Sequence, residues 1–159
     1  KGNYKDDLKE GEWFFYEEGK LLVGIIFKNG IEYEVKKYCA NGKIESQGRV
    51  KGGFECGLWK YYYWSGSFLT EGKYKNGVKN GIWKNYFESG EIQFIGNFMN
   101  GERDGEWFEY YENGQIKEQG NFKEGVPIGK WIYFNEFGKI KAEGKYNKKG
   151  KKKRNWKYY

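Results

Sequence analysis

The sequence predicts an all-β fold, an elongated single-layer antiparallel sheet built from tandem β-hairpin repeats. Three regularities carry this prediction. Tryptophans recur at a spacing of 24 residues, glycines recur at fixed offsets from them, and Asn-Gly pairs separate short stretches rich in aromatic residues. Self-similarity at such a period is the signature of a repeat architecture, and Asn-Gly pairs favour the tight turns of hairpins.

The tryptophan column defines the repeat. Its members are Trp13, Trp59, Trp83, Trp107, Trp131 and Trp156, with Val35 at the place where one is missing. Two residues before the column lie Gly11, Gly57, Gly81, Gly105 and Gly129. Thirteen residues after it lie Gly48, Gly72, Gly96, Gly120 and Gly144. Columns this regular indicate positions that the fold requires.

The best-preserved repeat, Gly105–Gly125, indicates how one hairpin is built. Its first half, Trp107–Tyr111, is rich in aromatic residues, as strands are. Asn113-Gly114 follows and predicts a two-residue type I′ turn, in which both central residues have positive φ. The second half alternates between the two faces of the sheet. The residues expected on one face are Ile116, Glu118, Gly120 and Phe122.

A two-residue turn also fixes the register of the hairpin. It pairs Tyr111 with Ile116 and Trp107 with Gly120, so that each indole lies opposite a residue without a side chain. The ring is expected to cover bare backbone and to pack on its neighbours. The residues assigned this structural role are Trp13, Trp59, Trp83, Trp107, Trp131, Gly72, Gly96 and Gly120.

A second aromatic column lies three residues after each tryptophan and faces the other side of the sheet. One interpretation is a cross-strand ladder packed by the stems of Lys and Glu side chains. The other is a docking surface, because one face of a single-layer sheet stays open to solvent. On the second interpretation the partner-binding residues are Tyr16, Tyr38, Tyr62, Tyr86, Tyr110 and Phe134.

The repeats predict one array over residues 1–159. Half a hairpin is expected at residues 1–10, six hairpins from about residue 11 to residue 150, and another half hairpin at residues 151–159. Such an array has open edge strands, and an open edge permits strand addition from a second copy. The basic residues 148–154 would repel a second copy at the C-terminal edge, so self-association, where it occurs, is expected at the N-terminal edge.

Positive charge is concentrated near the C-terminal end. The chain carries a formal net charge of +7. Residues 141–159 hold nine basic side chains and one acid, a net of +8, so the other 140 residues have a net of −1. This is a local patch and not the basic stripe of a duplex-binding domain, so no sequence-specific nucleic acid is expected. The patch predicted to meet anionic surfaces comprises Lys148, Lys149, Lys151, Lys152, Lys153 and Arg154.

The residue types that carry catalysis and bind metals are scarce. The chain has no histidine, which removes the commonest general base and metal ligand. It has no glycine loop of the phosphate-binding type, and its carboxylates alternate with lysines as on solvated strand faces. Cys39 and Cys56 are expected near opposite rims, too far apart for a disulfide. The prediction is a protein that is not an enzyme and needs no metal or cofactor.

The Gly-x-Trp and Tyr-x-Asn-Gly pattern resembles MORN repeats, in particular the 24-residue bacterial variant of YwqK-type antitoxin-like proteins. The resemblance covers essentially the whole chain. It implies a single-layer sheet of hairpins with a role in protein docking, self-association or contact with membrane lipid. An antitoxin-like role would imply a protein toxin as the partner.

Three functions follow from these patterns. The leading hypothesis is a non-enzymatic protein-interaction or scaffolding repeat protein, with another protein as its partner. The second is a cell-surface or glycan-binding module that uses the tyrosine column. The third is peripheral binding of anionic lipid through the basic C-terminal cluster. No apolar stretch is long enough to cross a bilayer, so a transmembrane protein is not expected. The resemblance to bacterial repeats implies the bacterial cytoplasm or the cell surface, and the sequence does not choose between them.

Overall fold

The computed structural model describes all 159 residues and contains fourteen β-strands and no helix. The prediction of an all-β fold of tandem antiparallel hairpins is confirmed. The chain accordingly has no helix long and apolar enough to cross a membrane. It divides into two compact units, unit 1 (Lys1–Val78) and unit 2 (Lys79–Tyr159).

In each unit every strand pairs antiparallel with the next strand along the chain. Unit 1 contains β1 (Asn3–Lys5), β2 (Leu8–Glu17), β3 (Lys20–Lys28), β4 (Ile31–Tyr38), β5 (Ile44–Lys51), β6 (Phe54–Tyr62) and β7 (Phe68–Lys75). Unit 2 contains β8 (Val78–Tyr86), which starts at the boundary residue, β9 (Ile92–Met99), β10 (Glu102–Tyr110), β11 (Ile116–Lys123), β12 (Val126–Phe134), β13 (Ile140–Tyr146) and β14 (Lys157–Tyr158).

The turns that join one hairpin to the next are two residues long. In the turn between β9 and β10 both Asn100 and Gly101 have positive φ, 51° and 87°. This is the geometry of a type I′ turn, which only Asn, Asp and Gly adopt readily. The N–H of Gly101 donates to the carbonyl of Lys79 at 2.9 Å. Gly30, Gly77 and Gly125 make the corresponding bond, so these turns are hydrogen-bonded to the preceding hairpin.

In the first hairpin the inner turn is also two residues long, with positive φ at Glu18 and Gly19, 47° and 78°. The turns inside the later hairpins are of a different type, and the type I′ prediction for Asn113-Gly114 is wrong. Only Gly114 has positive φ, at 80°. The N–H of Gly114 donates to the carbonyl of Tyr111 at 2.9 Å, and the N–H of Tyr111 donates to the carbonyl of Gln115 at 2.8 Å. These bonds define a three-residue loop, a type I turn followed by a glycine bulge.

The side chain of Asn113 explains why this loop is favoured. Its Oδ1 accepts a hydrogen bond from the N–H of Gln115 at 3.0 Å. Its Nδ2 donates to the carbonyl of Glu136, in the equivalent loop of the next hairpin, at 2.8 Å. Asn41 makes the corresponding pair of bonds in unit 1, to Lys43 and to the carbonyl of Trp64. The asparagine therefore joins neighbouring loops as well as closing its own.

The longer loop moves the register by one residue near the turn only. Tyr110, and not Tyr111, pairs with Ile116, and a bulge follows at Lys117. Beyond the bulge Trp107 pairs with Gly120, so the predicted register of the strand is confirmed there. Paired residues project from the same face of a sheet. The bulge therefore places the side chains of Ile116 and Glu118 on opposite faces, whereas the sequence predicted them on the same face.

The glycine two residues before each tryptophan has its own role. Gly105 has a φ of 99°, which a side chain would oppose. On either side of it, Arg103 pairs with Phe98 and Trp107 pairs with Gly96. Three residues of β10 therefore face one residue of β9, a β-bulge that bends the strand just before the tryptophan. The glycine of the Gly-x-Trp motif thus forms a β-bulge, and the tryptophan that follows packs its ring on the sheet.

Within each unit, an indole covers a glycine of the hairpin that precedes its own. A Cβ atom on Gly96 would overlap the ring of Trp107, and one on Gly120 would overlap the ring of Trp131. The same contact joins Gly2 to Trp13, Gly48 to Trp59 and Gly144 to Trp156. The missing side chain thus makes room for a ring from the next hairpin. The pairing of Trp107 with Gly120 does not by itself predict this contact.

Candidate binding faces

The face of each unit that carries the tryptophans, here called the Trp face, is covered by its own side chains. Trp59, Trp83, Trp107 and Trp131 are between 1% and 3% exposed. In unit 2, Phe122 lies between two indoles, with ring centroids 5.5 Å from Trp107 and 5.1 Å from Trp131, edge to face in both cases. Such rings bury large areas in favourable geometry, so this face forms the core of a sheet that has no second layer.

The indole N–H groups are satisfied unequally. Trp59 donates to the carbonyl of Arg49 at 2.8 Å, and Trp13 donates to that of Asn3 at 3.0 Å. Both acceptors follow the glycine that the ring covers. The buried Nε1 atoms of Trp107 and Trp131 have no hydrogen-bond partner. A buried donor without an acceptor costs the free energy of its desolvation.

This difference predicts unequal effects of substituting phenylalanine. Trp59→Phe removes the hydrogen bond from the indole N–H to a carbonyl group, whereas Trp107→Phe removes an indole N–H that has no acceptor. The rings are equally buried, at 3% and 2% exposed, so we expect Trp59→Phe to lower the free energy of unfolding by about 1 kcal/mol more than Trp107→Phe. Urea denaturation of both variants measures this. Equal losses, or a larger loss for Trp107→Phe, would contradict the assignment.

A column of cations lies over the Trp face, four residues before the tryptophans. Nζ of Lys79 is 4.1 Å from the ring centroid of Trp83, and Cζ of Arg103 is 4.3 Å from that of Trp107. Lys9 and Lys152 stand over Trp13 and Trp156 at 4.9 Å and 4.2 Å. Cation–π contacts contribute about 0.5–1 kcal/mol at exposed positions and more when desolvated. This column was not predicted from the sequence, although a basic residue stands four positions before each of these four tryptophans.

Desolvation and hydrogen bonding shift several pKa values on the Trp face. Burial lowers the pKa of Lys79. Burial and the hydrogen bond between hydroxyl groups raise the pKa of Tyr61, whose oxygen is 3.0 Å from that of Tyr74. The same arrangement recurs in unit 2, where Tyr133 and Tyr146 are 3.1 Å apart. Tyr61 and Tyr133 are therefore neutral hydrogen-bonding groups in the aromatic layer.

Glu118 is the carboxylate that this layer tolerates least. Burial, and then the charge of Glu109 directly across the strand pair, raise its pKa. Because the folded-state pKa lies above the unfolded one, ionisation destabilises the fold as the pH rises from the ordinary glutamate value of about 4.3 through the folded-state value. The cost therefore grows as the pH rises above the ordinary value, and at pH values below the ordinary one it is absent.

We therefore expect Glu118→Gln to stabilise the protein at pH 7, by a few tenths to about 1 kcal/mol, the range of an unfavourable cross-strand pair. The gain should disappear at pH 3. Glu109→Gln is the control, because Glu109 already pairs with Lys117 at 2.6 Å and its removal also loses that contact. A gain that is the same at pH 3 and pH 7 would show that the charge of Glu118 is not its cause.

The opposite face of each unit, here called the Tyr face, carries the second aromatic column. Tyr62 is half-buried, accepts a hydrogen bond from Nε2 of Gln47 at 2.8 Å and stacks on Phe68 with centroids 5.0 Å apart. Tyr38, Tyr86, Tyr110 and Phe134 are also half-buried, and Tyr16 is 58% exposed. Tyr62 therefore packs within the sheet, as in the interpretation of this column as a cross-strand ladder. Exposed apolar side chains one residue before the tryptophan, Leu58 and Ile82, add to the same face.

Glycine-floored depressions recur on the Tyr face at one position of the repeat. The Gly120 depression has a volume of about 210 Å³ and the Gly144 depression one of about 200 Å³. A third, in unit 1, lies over Gly48 with about 180 Å³. Each floor is the backbone of a glycine whose other side lies under an indole, and each wall contains a lysine and a glutamate. The role predicted for these glycines from the sequence was on the Trp face only, where they lie under the indoles.

The basic C-terminal cluster divides between a loop and the edge of the sheet. Lys148 and Lys149 lie in the three-residue loop that Asn147 closes. Lys152 forms an isolated bridge with Tyr146 and lies over Trp156, and the N–H of Lys153 donates to the carbonyl of Lys145 at 2.8 Å. All six cations are exposed: Lys148, Lys149, Lys151, Lys152, Lys153 and Arg154. The cluster prolongs the pairing of β13 as well as carrying charge.

Groups with nucleophilic or metal-binding potential are isolated from one another. Cys39 and Cys56 are free thiols, each half-buried. No group of three or more His, Cys, Asp or Glu residues is arranged to hold a metal ion.

Comparison with known families gives one match. The family model described as a MORN repeat variant matches residues 79–100, 103–124 and 127–148. Each matched segment spans one hairpin of unit 2: β8 with β9, β10 with β11, and β12 with β13. MORN repeats generally mediate protein or membrane interactions and are typically without catalytic activity. A search of curated proteins found no match to this chain.

Proposed function

We propose that this protein is a non-enzymatic protein-interaction module that binds its partner on the Tyr face. The observation that carries the proposal is the contrast between the two faces. On the Trp face four indoles are between 1% and 3% exposed, and cations lie over two of them, Trp83 and Trp107. On the Tyr face apolar side chains remain in solvent, including Leu58 at 49% and Ile82 at 56%. Exposed apolar groups among charged ones are typical of interaction surfaces.

The aromatic column Tyr16, Tyr38, Tyr62, Tyr86, Tyr110 and Phe134 lies among these groups. Half-buried tyrosines are suited to binding, because a ring already held in place loses little conformational freedom when it meets a partner. The hydroxyl of Tyr62 is used inside the protein, so its contribution would come from the ring. The narrower hypothesis of an antitoxin-like role, with a toxin as the bound protein, has only the repeat resemblance in its support.

The test is a charge placed on the Tyr face. Leu58→Glu and Ile82→Glu, each made alone, change exposed side chains and should leave the denaturation midpoint nearly unchanged. We expect either variant to lose at least tenfold in affinity for a partner isolated with the unmodified protein. The control is Phe137→Glu, because Phe137 is 85% exposed but lies in a hairpin loop. A partner that binds all three variants equally would refute the Tyr face as the site.

A further inference from the structure

The Gly120 depression, on the Tyr face of unit 2, contains three polar side chains with no partner inside the protein. Its lining residues are Glu106, Phe108, Gln119, Asn121, Lys130 and Ile132. Glu106 lies opposite Asn121, and Phe108 lies opposite Gln119, in the pairing of β10 with β11. The carboxylate of Glu106 and the amides of Gln119 and Asn121 form no hydrogen bond or ion pair with other side chains or with the backbone. These three groups are therefore available to a ligand.

The lysine of the Gly120 depression is already paired outside it. Nζ of Lys130 is 2.9 Å from Oε2 of Glu143, which lies on β13. Glu106 lies on β10, on the other side of Lys130, and two strand spacings of about 4.8 Å separate β10 from β12. Lys130 forms no ion pair with Glu106. The charge left without a partner in the depression is therefore that of the Glu106 carboxylate, which favours a cationic ligand.

The same position of the repeat is cationic in the other two depressions. The residue after the glycine floor is Asn121 in the Gly120 depression, but it is Arg49 over Gly48 and Lys145 over Gly144. A lysine also takes the place of Ile132 in both of the others. Cations therefore outnumber acids around Gly48 and Gly144 and do not outnumber them around Gly120. Of the three depressions, the one over Gly120 suits a cation best.

The size and walls of the Gly120 depression favour an arginine side chain. Its volume of about 210 Å³ is below that of typical small-molecule pockets, about 300 Å³ or more, and suits a single side chain. Phe108 and Ile132 supply apolar walls on either side of the glycine floor. A guanidinium group is planar, carries five N–H donors and stacks on aromatic rings, so it can serve several acceptors at once. An ammonium group is a compact, strongly hydrated point charge and matches such a slot less well.

We propose that the Gly120 depression is a subsite for an arginine side chain of the partner protein. This rests on the proposed function, since it specifies the chemistry of a partner for the Tyr face. The guanidinium group pairs with the carboxylate of Glu106 and donates to the amide oxygens of Gln119 and Asn121. Its plane lies on the ring of Phe108, and the glycine floor leaves room for the arginine stem.

The test is a titration of the isotopically labelled whole protein, followed through the backbone NMR signals of Gly120 and Asn121. The ligands are the acetylated amides of arginine, lysine and citrulline, the last of which carries a neutral urea group on the arginine stem. We expect the arginine compound to bind in the millimolar range and the other two at least about fivefold more weakly, because citrulline lacks the charge and lysine lacks the planar donors. A smaller preference, no binding of the arginine compound at tens of millimolar, or larger shifts at Gly48 or Gly144 would overturn the proposal.

Two variants and a matched control locate the binding. Asn121→Lys reproduces the cation found at the equivalent positions Arg49 and Lys145, so it is compatible with the fold. We expect Asn121→Lys and Glu106→Gln each to weaken the arginine compound at least about fivefold. Glu112→Gln changes the net charge by the same amount in an exposed hairpin loop and should leave the affinity within about twofold.

Binding that survives either change in the depression would overturn the proposal. Equal losses in all three variants would show a response to the net charge of the protein and would overturn it as well. Tryptophan fluorescence and the urea midpoint establish that the variants are folded.

The outcome is separable from that of the proposed function. If the arginine compound shows no preference while Leu58→Glu and Ile82→Glu still abolish partner binding, only the arginine subsite fails. If those two variants bind the partner normally, the Tyr face fails as the interaction surface whatever the small ligands do.

Discussion

Gly120→Ala is expected to lower the free energy of unfolding by about 3 kcal/mol, although it adds one methyl group to a strand. The added Cβ would overlap the indole of Trp131, which is 2% exposed and enclosed by Phe122 and Tyr146. The ring is held by these contacts, and the backbone beneath it is held by the pairing of Gly120 with Trp107. Urea denaturation gives the loss directly.

A double-mutant cycle identifies the ring that occupies the site. Gly120 pairs with Trp107 across its own hairpin but is covered by Trp131 of the next one. In a Trp131→Leu background the further cost of Gly120→Ala should fall below about 1 kcal/mol, whereas in a Trp107→Leu background it should keep most of its size. If the coupling appears with Trp107 instead, the contact between hairpins has been assigned to the wrong ring.

Trp107→Ala is expected to have the largest effect of any single substitution in unit 2, about 3–5 kcal/mol. It removes a ring that is 2% exposed, that contacts Phe94, Phe98 and Phe122, and that supports the guanidinium of Arg103. Removing such a ring opens a cavity from which the sheet, with no second layer, has little means to recover.

The matched substitution is Val35→Ala, at the position where the tryptophan column is broken. Val35 is 9% exposed and loses only two methyl groups, each equivalent to about 0.8 kcal/mol of burial, so we expect a loss of about 2 kcal/mol. Thermal or urea denaturation under one set of conditions compares the two. A loss at Val35 as large as that at Trp107 would show that the tryptophan column does not carry the core.

The pairing of Trp107 with Gly120 could be predicted from the sequence, because a 24-residue period and a short turn leave few alternative registers. The turn type could not, since Asn-Gly fits both a type I′ turn and a glycine bulge. The choice depends on the bond from Asn113 to Glu136 of the next hairpin, which lies 23 residues away in sequence. The ring on Gly120 was missed for the same reason, because it comes from another hairpin.

For the candidate surfaces, too, some features could be predicted from the sequence and others could not. The two faces follow from strand alternation, so the opposite placement of Trp59 and Tyr62 was predictable. The cations over the indoles and the depressions over Gly120 and Gly144 were not predicted. The depressions arise where side chains of three adjacent strands meet, and a pattern along one strand carries no direct signal of such a meeting. The cations lie on the same strand as the indole, four residues before it, so their signal was present in the sequence. Lys79, which reads as part of a solvated face, is partly desolvated in the structure and lies over the ring of Trp83.

The contact between each glycine and the following indole has a direction along the chain, and this bears on synthesis. Gly120 is translated eleven residues before the Trp131 that covers it. At about 5–20 residues per second, its hairpin waits roughly a second for the ring that completes it. The indole of a newly made hairpin, in contrast, meets a glycine that is already in place. A hairpin whose glycine is covered by an indole is therefore completed only after the next hairpin along the chain has been made.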